Sequence, residues 1–363
     1  MEKAGIYIHI PYCLRKCYYC SFCSSARMST QDAYLERLKE EIERFKGSKD
    51  VDTVYIGGGT PSVVRRGFLS QVETALKNKF LFTELSEFTV ECNPESTSYG
   101  FLMEAKHIGV NRLSLGLQSA SDIVLKKSGR GHTVADFVEA VRRAKSLGIQ
   151  EISADIILGL PGQDTDDIKK AIELFDKCGV DHASAYLLTV EKDTKLHKNG
   201  YKVEDDVLAD MFESALVQLA KYGYERYEVS NFARNGKVAK HNKKYWTGAN
   251  YYGFGLSAHS LINGVRKENT SDLQRYLSGK TLKKTVRLNT SAKKMEKIML
   301  SLRTVEGLNL MEYRREFDED ILVTKKAQIN KLTSLGLVQK KDDYLVATDK
   351  GMMLLNSVIV ELT

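Results

Sequence analysis

Residues 8–25 read IHIPYCLRKCYYCSFCSS, and four cysteines fall among them: Cys13, Cys17, Cys20 and Cys23. They follow a short apolar run, AGIYIHI at 4–10, with the make-up of a strand. Six cysteines in 363 residues, four of them clustered, do not form a secreted disulfide framework, whose bridges are spread through a small scaffold. Metal or redox chemistry in a reducing compartment is the better reading. Three arrangements compete. Structural zinc sites usually pair two C-x2-C units across a longer loop, whereas here all four cysteines share one turn-rich loop. A ferredoxin-like cluster uses four cysteines in such a loop, but electron carriers are small. The third arrangement takes Cys13-x3-Cys17-x2-Cys20 as ligands to three irons of a 4Fe-4S cluster, leaving the fourth iron open to a substrate or cofactor.

Outward from this loop, strand-like runs alternate with amphipathic helical stretches as far as about residue 222, the mark of successive parallel βα units. The runs are AGIYIHI, VDTVYIG, EFTVECN, RLSLGL, EISADIILGL and ASAYLLTV, near-continuous in apolar residues as expected for strands covered on both faces. Leu35, Leu38, Ile42 and Phe45 recur at helical spacing, as do Ile168, Ala171, Ile172 and Phe175. Thr133 is placed to cap a helix ending before Gly148, and Gly179 stands where a helix C-terminal glycine belongs. Six units suit an α/β fold, a partial (β/α)6 barrel spanning 1–230, with a closed eight-strand barrel and an open doubly wound sheet as the alternatives.

Residues 231–293 read as a loop-rich extension with short strands. It ends in a basic, solvated connection carrying Lys280, Lys283, Lys284, Arg287 and Lys293. From 294 to 363 the chain reads as helix, turn, two-stranded wing and helix, a smaller α+β winged-helix-like domain. Its recognition-helix positions carry Gln328, Asn330 and Lys331 but no arginine for bidentate guanine contact, so docking is expected rather than nucleic-acid binding. The N-terminus lacks the pattern of a signal peptide, and no apolar stretch approaches the ~20 residues that span a bilayer. A cytoplasmic protein is expected. The net charge of +7 favours acidic partners without choosing among them.

IGGGTPS at 56–62 is not a dinucleotide fingerprint, because Ser62 stands where the third glycine would fall. SGKT at 278–281 is not a phosphate loop, because Gln274 occupies the leading glycine position. In parallel βα folds, loops at the C-terminal strand ends converge on one mouth, so Gly57, Gly58, Gly59 and Thr60 open beside the cysteines. Glycine there reads either as a plain tight turn or as a place where bare backbone approaches a cofactor.

The spacing Cys13-x3-Cys17-x2-Cys20 after a first strand resembles the radical S-adenosylmethionine (SAM) motif. In that superfamily the open iron chelates SAM, and an electron from the cluster cleaves it to methionine and a 5'-deoxyadenosyl radical. YIHIPYC, IGGGTPS, ECNPES, GVNRLSLGLQS, DIILGLPGQ and YEVSNFA resemble the oxygen-independent coproporphyrinogen dehydrogenases and their relatives, in order along nearly the whole chain. That resemblance implies that Tyr7, Gly58 and Glu91 contact SAM on the cluster. It implies that Tyr19, Gly59, Thr60, Gln118, Arg130 and Asp155 line a second SAM site, with Arg130 suited to a carboxylate and Gln118 and Asp155 to hydroxyls or amines.

Three departures set the chain apart from the dehydrogenases: no long extension ahead of the first strand, Phe22 where they carry a fourth cysteine, and HNKKYW at 241–246. These features resemble the HemW-type haem chaperones, although Cys23 is unusual for that group. The resemblance implies a protein that carries haem to an acceptor protein, with coproporphyrinogen III decarboxylation as the alternative and a regulatory docking role third. Within HNKKYW, His241 is a candidate axial haem ligand, and Asn242, Tyr245 and Trp246 are candidates for contact with the macrocycle. The competing reading is a structural turn with packed aromatics. His259 is a further candidate ligand.

Overall fold

The computed structural model describes residues 3–47, 50–82 and 85–363. Strands β1 (Ala4–Ile10), β2 (Val51–Gly58), β3 (Glu87–Cys92), β4 (Arg112–Gln118), β5 (Glu151–Leu158) and β6 (His182–Leu187) lie side by side in chain order, all parallel. These are the six apolar runs of the sequence. The helices between them cover the outer face. Helix Val134–Ser146 starts in a capping box made by Thr133 and Asp136, and helix Thr165–Lys177 gives way to Gly179 at φ 64°. The latter buries Ile168, Ala171, Ile172 and Phe175 against the sheet, and each large apolar side chain so buried contributes about 1.5–3 kcal/mol.

The strands are not apolar on both faces. In β4, Leu113, Leu115 and Leu117 enter the core, while Arg112, Ser114, Gly116 and Gln118 face a cavity inside the curved sheet. The same alternation places Glu91, Ser114, Ser153 and His182 in one row across β3 to β6. The outer face builds the helix-packed core, and the inner face is a polar chamber.

On the β6 side the sheet continues through β8 (Asn231–Ala233) to β7 (Glu225–Arg226). On the other side β9 (Tyr251–Phe254) pairs parallel with β1, followed antiparallel by β10 (His259–Ile262), β11 (Val265–Asn269) and β12 (Leu282–Arg287). The stretch expected to be loop with short strands and a solvated connection thus carries five strands of the main sheet, β8 to β12. β12 escaped sequence reading because all six of its residues are exposed, so its pattern is set by solvent rather than by a core.

The C-terminal part has its own core of Ile298, Leu302, Leu332, Leu345 and Val358. Strands β13 (Leu308–Asn309), β14 (Val338–Lys341) and β15 (Tyr344–Ala347) run in the order β13-β15-β14, and helix Lys326–Ser334 precedes the β14–β15 wing as expected. It meets the barrel through Val305, whose N–H donates to Tyr227 O at 3.2 Å, and through the Lys243–Glu306 ion pair at 2.8 Å. No helix among the described residues is long and apolar enough to cross a membrane.

Candidate functional site: a cysteine loop over a polar barrel cavity

A cavity of about 580 Å³ runs inside the barrel from the cysteine loop to the opposite strand ends. Cys13, Cys17 and Cys20 line it, and Cys23 does not. Cys23 Sγ instead donates to Ser271 O at 3.5 Å, and its side chain packs on the core. Cys13 Sγ lies 3.4 Å from Thr60 Oγ1. Burial raises the thiols of Cys13 and Cys20, each further by the neighbouring Cys17, so metal binding there must expel protons. Among the described residues no three His, Cys, Asp or Glu side chains converge on a point that would hold a single metal ion.

The glycine turn after β2 is held by this loop. Gly59 N–H donates to Ile10 O at 2.8 Å, and Thr60 N–H to Tyr12 O at 2.7 Å. Gly58 has φ 112°, and a Cβ there would lie 2.5 Å from the His9 ring. A Cβ on Gly57 would lie 2.7 Å from the Glu91 carboxyl carbon. The glycines are therefore required by the protein's own packing, whatever ligand approaches them. Glu91 accepts from Tyr55 Oη at 2.7 Å and from Gly58 N–H at 2.9 Å. Burial pushes its carboxyl up, partly offset by those two bonds. Tyr7 lines the same wall, its hydroxyl 3.1 Å from His9 Nδ1.

Opposite stand Tyr19, Gln118, Arg130 and Asp155, which the fold brings to one cavity from four segments. Asp155 accepts from Ser114 Oγ at 3.3 Å, and burial raises its carboxyl. Burial also raises the Tyr19 phenol. Gln118 ends β4 at φ 70°, and its buried Oε1 has no hydrogen-bond partner. A buried acceptor left open on a cavity wall is the local signature of a ligand that donates to it. Arg130 donates through Nη2 to Asn93 Oδ1 at 3.0 Å and to Gly116 O at 2.9 Å. Asn93 and Tyr55 were not singled out from sequence. Both sit at alternate, inward positions of apolar runs, and that alternation was the available signal.

HNKKYW is neither loop nor turn. It lies in helix Lys240–Thr247, which closes the end of the barrel away from the cysteines and brings His241, Asn242 and Tyr245 to the cavity's far end. His241 is fully buried, Nδ1 hydrogen-bonded to Thr53 Oγ1 at 2.9 Å and Nε2 to Tyr245 Oη at 3.0 Å. Neither ring nitrogen is open to an iron. Trp246 is five residues on, about 140° around the helix. It stands outside the cavity, 5.9 Å from the Arg303 guanidinium. Of the four residues expected to meet haem, His241, Asn242 and Tyr245 thus share the cavity, and Trp246 lies apart from them on the helix. His259, the other candidate, is exposed at the start of β10.

Two buried imidazoles make the closed end acid-sensitive. Burial lowers His241 and His182 to about 3 each, helped by Lys244 and Arg112 respectively. The folded chain keeps both neutral while the unfolded chain protonates them near 6.5, so stability is lost as pH falls below that value. Between pH 6.5 and 5 the loss for the pair is expected to be about 3 kcal/mol. Urea midpoints of the metal-free chain measure it, and the double variant His182→Gln/His241→Gln should flatten this part of the profile.

Comparison with known proteins matches this architecture. The model of the radical SAM superfamily covers residues 7–175 and that of the HemN C-terminal domain covers residues 295–354. The solved coproporphyrinogen III oxidase HemN of Escherichia coli, described as a radical SAM enzyme, superposes with TM-score 0.87 over 99% of this chain and 90% of its own, at 21% identity. The fold is that of a radical SAM protein. Heme chaperone HemW of Lactococcus lactis is 35% identical over 97% of this chain and 95% of its own length, and that of Bacillus subtilis 32% identical over 97% of both. Escherichia coli HemW is 29% identical over 99% of this chain and 98% of its own. The chain belongs to the HemW family.

Proposed function

We propose that this protein binds haem and passes it to an acceptor protein, on a radical SAM core with Cys13, Cys17 and Cys20 as the ligands of a 4Fe-4S cluster. The observation that carries the reading is the end-to-end similarity to proteins named heme chaperones, at 35% identity over 97% of the chain. The separation of Cys23 from the cavity and the open acceptor on Gln118 support the cluster and SAM parts of it. With three protein ligands, a bound cluster supplies one-electron chemistry to SAM at its open iron.

The chain's residues divide the work around that space. Tyr7, Gly58 and Glu91 form the wall by the cysteines, where the Gly58 amide fixes the Glu91 carboxylate. Tyr19, Gly59, Thr60, Gln118, Arg130 and Asp155 form the wall suited to a second SAM. Helix Lys240–Thr247 closes the far end.

The test runs two assays on one anaerobically reconstituted preparation: haem uptake and transfer to an apo-haemoprotein, and decarboxylation of coproporphyrinogen III. Stoichiometric haem uptake followed by release, with no decarboxylation, is expected. Decarboxylation with SAM turnover would make the chain a dehydrogenase. His241→Ala should leave the haem spectrum unchanged, because that imidazole is already bonded on both sides.

A further inference from the structure

Residues 128–132 read SGRGH, and they lie against the cysteine loop. Ser128 O accepts from Tyr18 N–H at 3.0 Å. Gly129 has φ 76°, and a Cβ there would come within 2.6 Å of the Tyr18 ring. On the other side, a Cβ on Gly131 would lie 3.0 Å from Glu95 Oε1 and 3.2 Å from Arg15 Nε. The two glycines let the backbone carry the arginine between them close against the cysteine loop.

Arg130 is only 9% exposed. Each arm of its guanidinium is held: Nη2 by Asn93 Oδ1 and Gly116 O, and Nε by His132 Nδ1 at 3.3 Å. His132 is fixed in turn, its Nε2 donating to Leu117 O at 3.0 Å, while its Nδ1 also lies 3.5 Å from Glu95 Oε2. The remaining arm, Nη1, points at Cys17 Sγ at 3.5 Å. A buried cation is thus aimed at one thiol of the proposed ligand set by contacts that involve no SAM.

We propose that Arg130 sets the reduction potential of the cluster by donating to the thiolate of Cys17, with Asn93 and His132 as residues that position it. The proposal rests on Cys17 being a cluster ligand. Reduction adds one electron, and so one negative charge, to a group whose thiolates already carry negative charge. A fixed cation and an N–H donor on the sulfur favour the reduced form, and both are established determinants of cluster potential. This is a different task from binding a SAM carboxylate, and it operates before SAM arrives.

The measurement is a dithionite titration of the anaerobically reconstituted full chain without SAM, followed by the electron paramagnetic resonance of the reduced cluster. Arg130→Gln keeps a donor but drops the charge. At the wild-type midpoint its reduced-to-oxidised ratio is expected to fall about tenfold, a shift of ~59 mV for one electron. Arg130→Lys, keeping the charge, should shift less, and Asn93→Ala, loosening the guanidinium, should shift in the same direction as Arg130→Gln. Wild-type midpoints in cluster-loaded Arg130→Gln overturn the proposal. If that variant holds no cluster, unchanged midpoints in both Arg130→Lys and Asn93→Ala overturn it instead. A wild-type chain that assembles no 4Fe-4S signal at all would sink the ligand reading, a separate and recognisable outcome.

Discussion

Cys13→Ser, Cys17→Ser and Cys20→Ser should each lose the cluster chromophore and its iron after anaerobic reconstitution, while Cys23→Ser keeps both. The first three side chains line the cavity, and the fourth is turned toward Ser271 O. With three protein ligands already the minimum, removing one leaves two irons unprotected, so the loss should be near complete. Cys23→Ser replaces a weak S–H donor with an O–H donor to the same carbonyl and should change stability by no more than ~1 kcal/mol. Iron and sulfide analysis with the visible spectrum reads all four variants. Loss of the cluster in Cys23→Ser together with its retention in Cys13→Ser would make Cys17, Cys20 and Cys23 the ligand set and remove the radical SAM reading.

What could be read from sequence depended on which face of an element carried the signal. The outer face of each barrel strand is packed on helices, so Leu113, Leu115 and Leu117 announced β4 plainly. The inner face of the same strand, with Arg112, Ser114 and Gln118, broke the apolar run into strict alternation. Read as period two, the pattern would have revealed a polar chamber instead of a sheet buried on both sides. The cysteine loop was legible because its spacing is local. The partners of Arg130 were not, since Asn93, Gly116 and Cys17 lie far from it in the chain and meet only through strand register.

HNKKYW shows the opposite failure. Its residue types suit an axial ligand with an aromatic cover, and sequence alone carries no information on whether a histidine's lone pairs are free. In the fold, His241 bonds Thr53 on β2 and stacks on Tyr55 with ring centroids 5.4 Å apart, while Lys243 and Trp246 face the C-terminal part through Glu306 and Arg303. One turn-rich reading thus became a helix joining the barrel's closed end to the second core.

The second large effect is expected at Gly59. A Cβ there would lie 2.7 Å from Tyr12 O and 2.9 Å from Ile10 O, both backbone atoms of the segment leading into Cys13. Backbone cannot swing aside as a side-chain tip can, so the added methyl must push the glycine turn off β1. That separation strains or breaks the Gly59–Ile10 and Thr60–Tyr12 hydrogen bonds and moves Thr60 away from Cys13. Overpacking together with the lost bonds should destabilise Gly59→Ala by about 2–4 kcal/mol. Gly67 supplies the control. It sits at φ 78° with nothing within 4 Å of an added Cβ, so Gly67→Ala carries only backbone strain of about 1–2 kcal/mol and should leave the cluster untouched. Urea midpoints of the metal-free variants and their iron uptake on reconstitution measure the difference. Gly59→Ala should be the less stable of the two and should take up little iron, because the turn it displaces is what holds the first cysteine against the cavity. If Gly59→Ala is as stable as Gly67→Ala and loads iron normally, the turn is free to shift, and the glycines are there for a ligand after all.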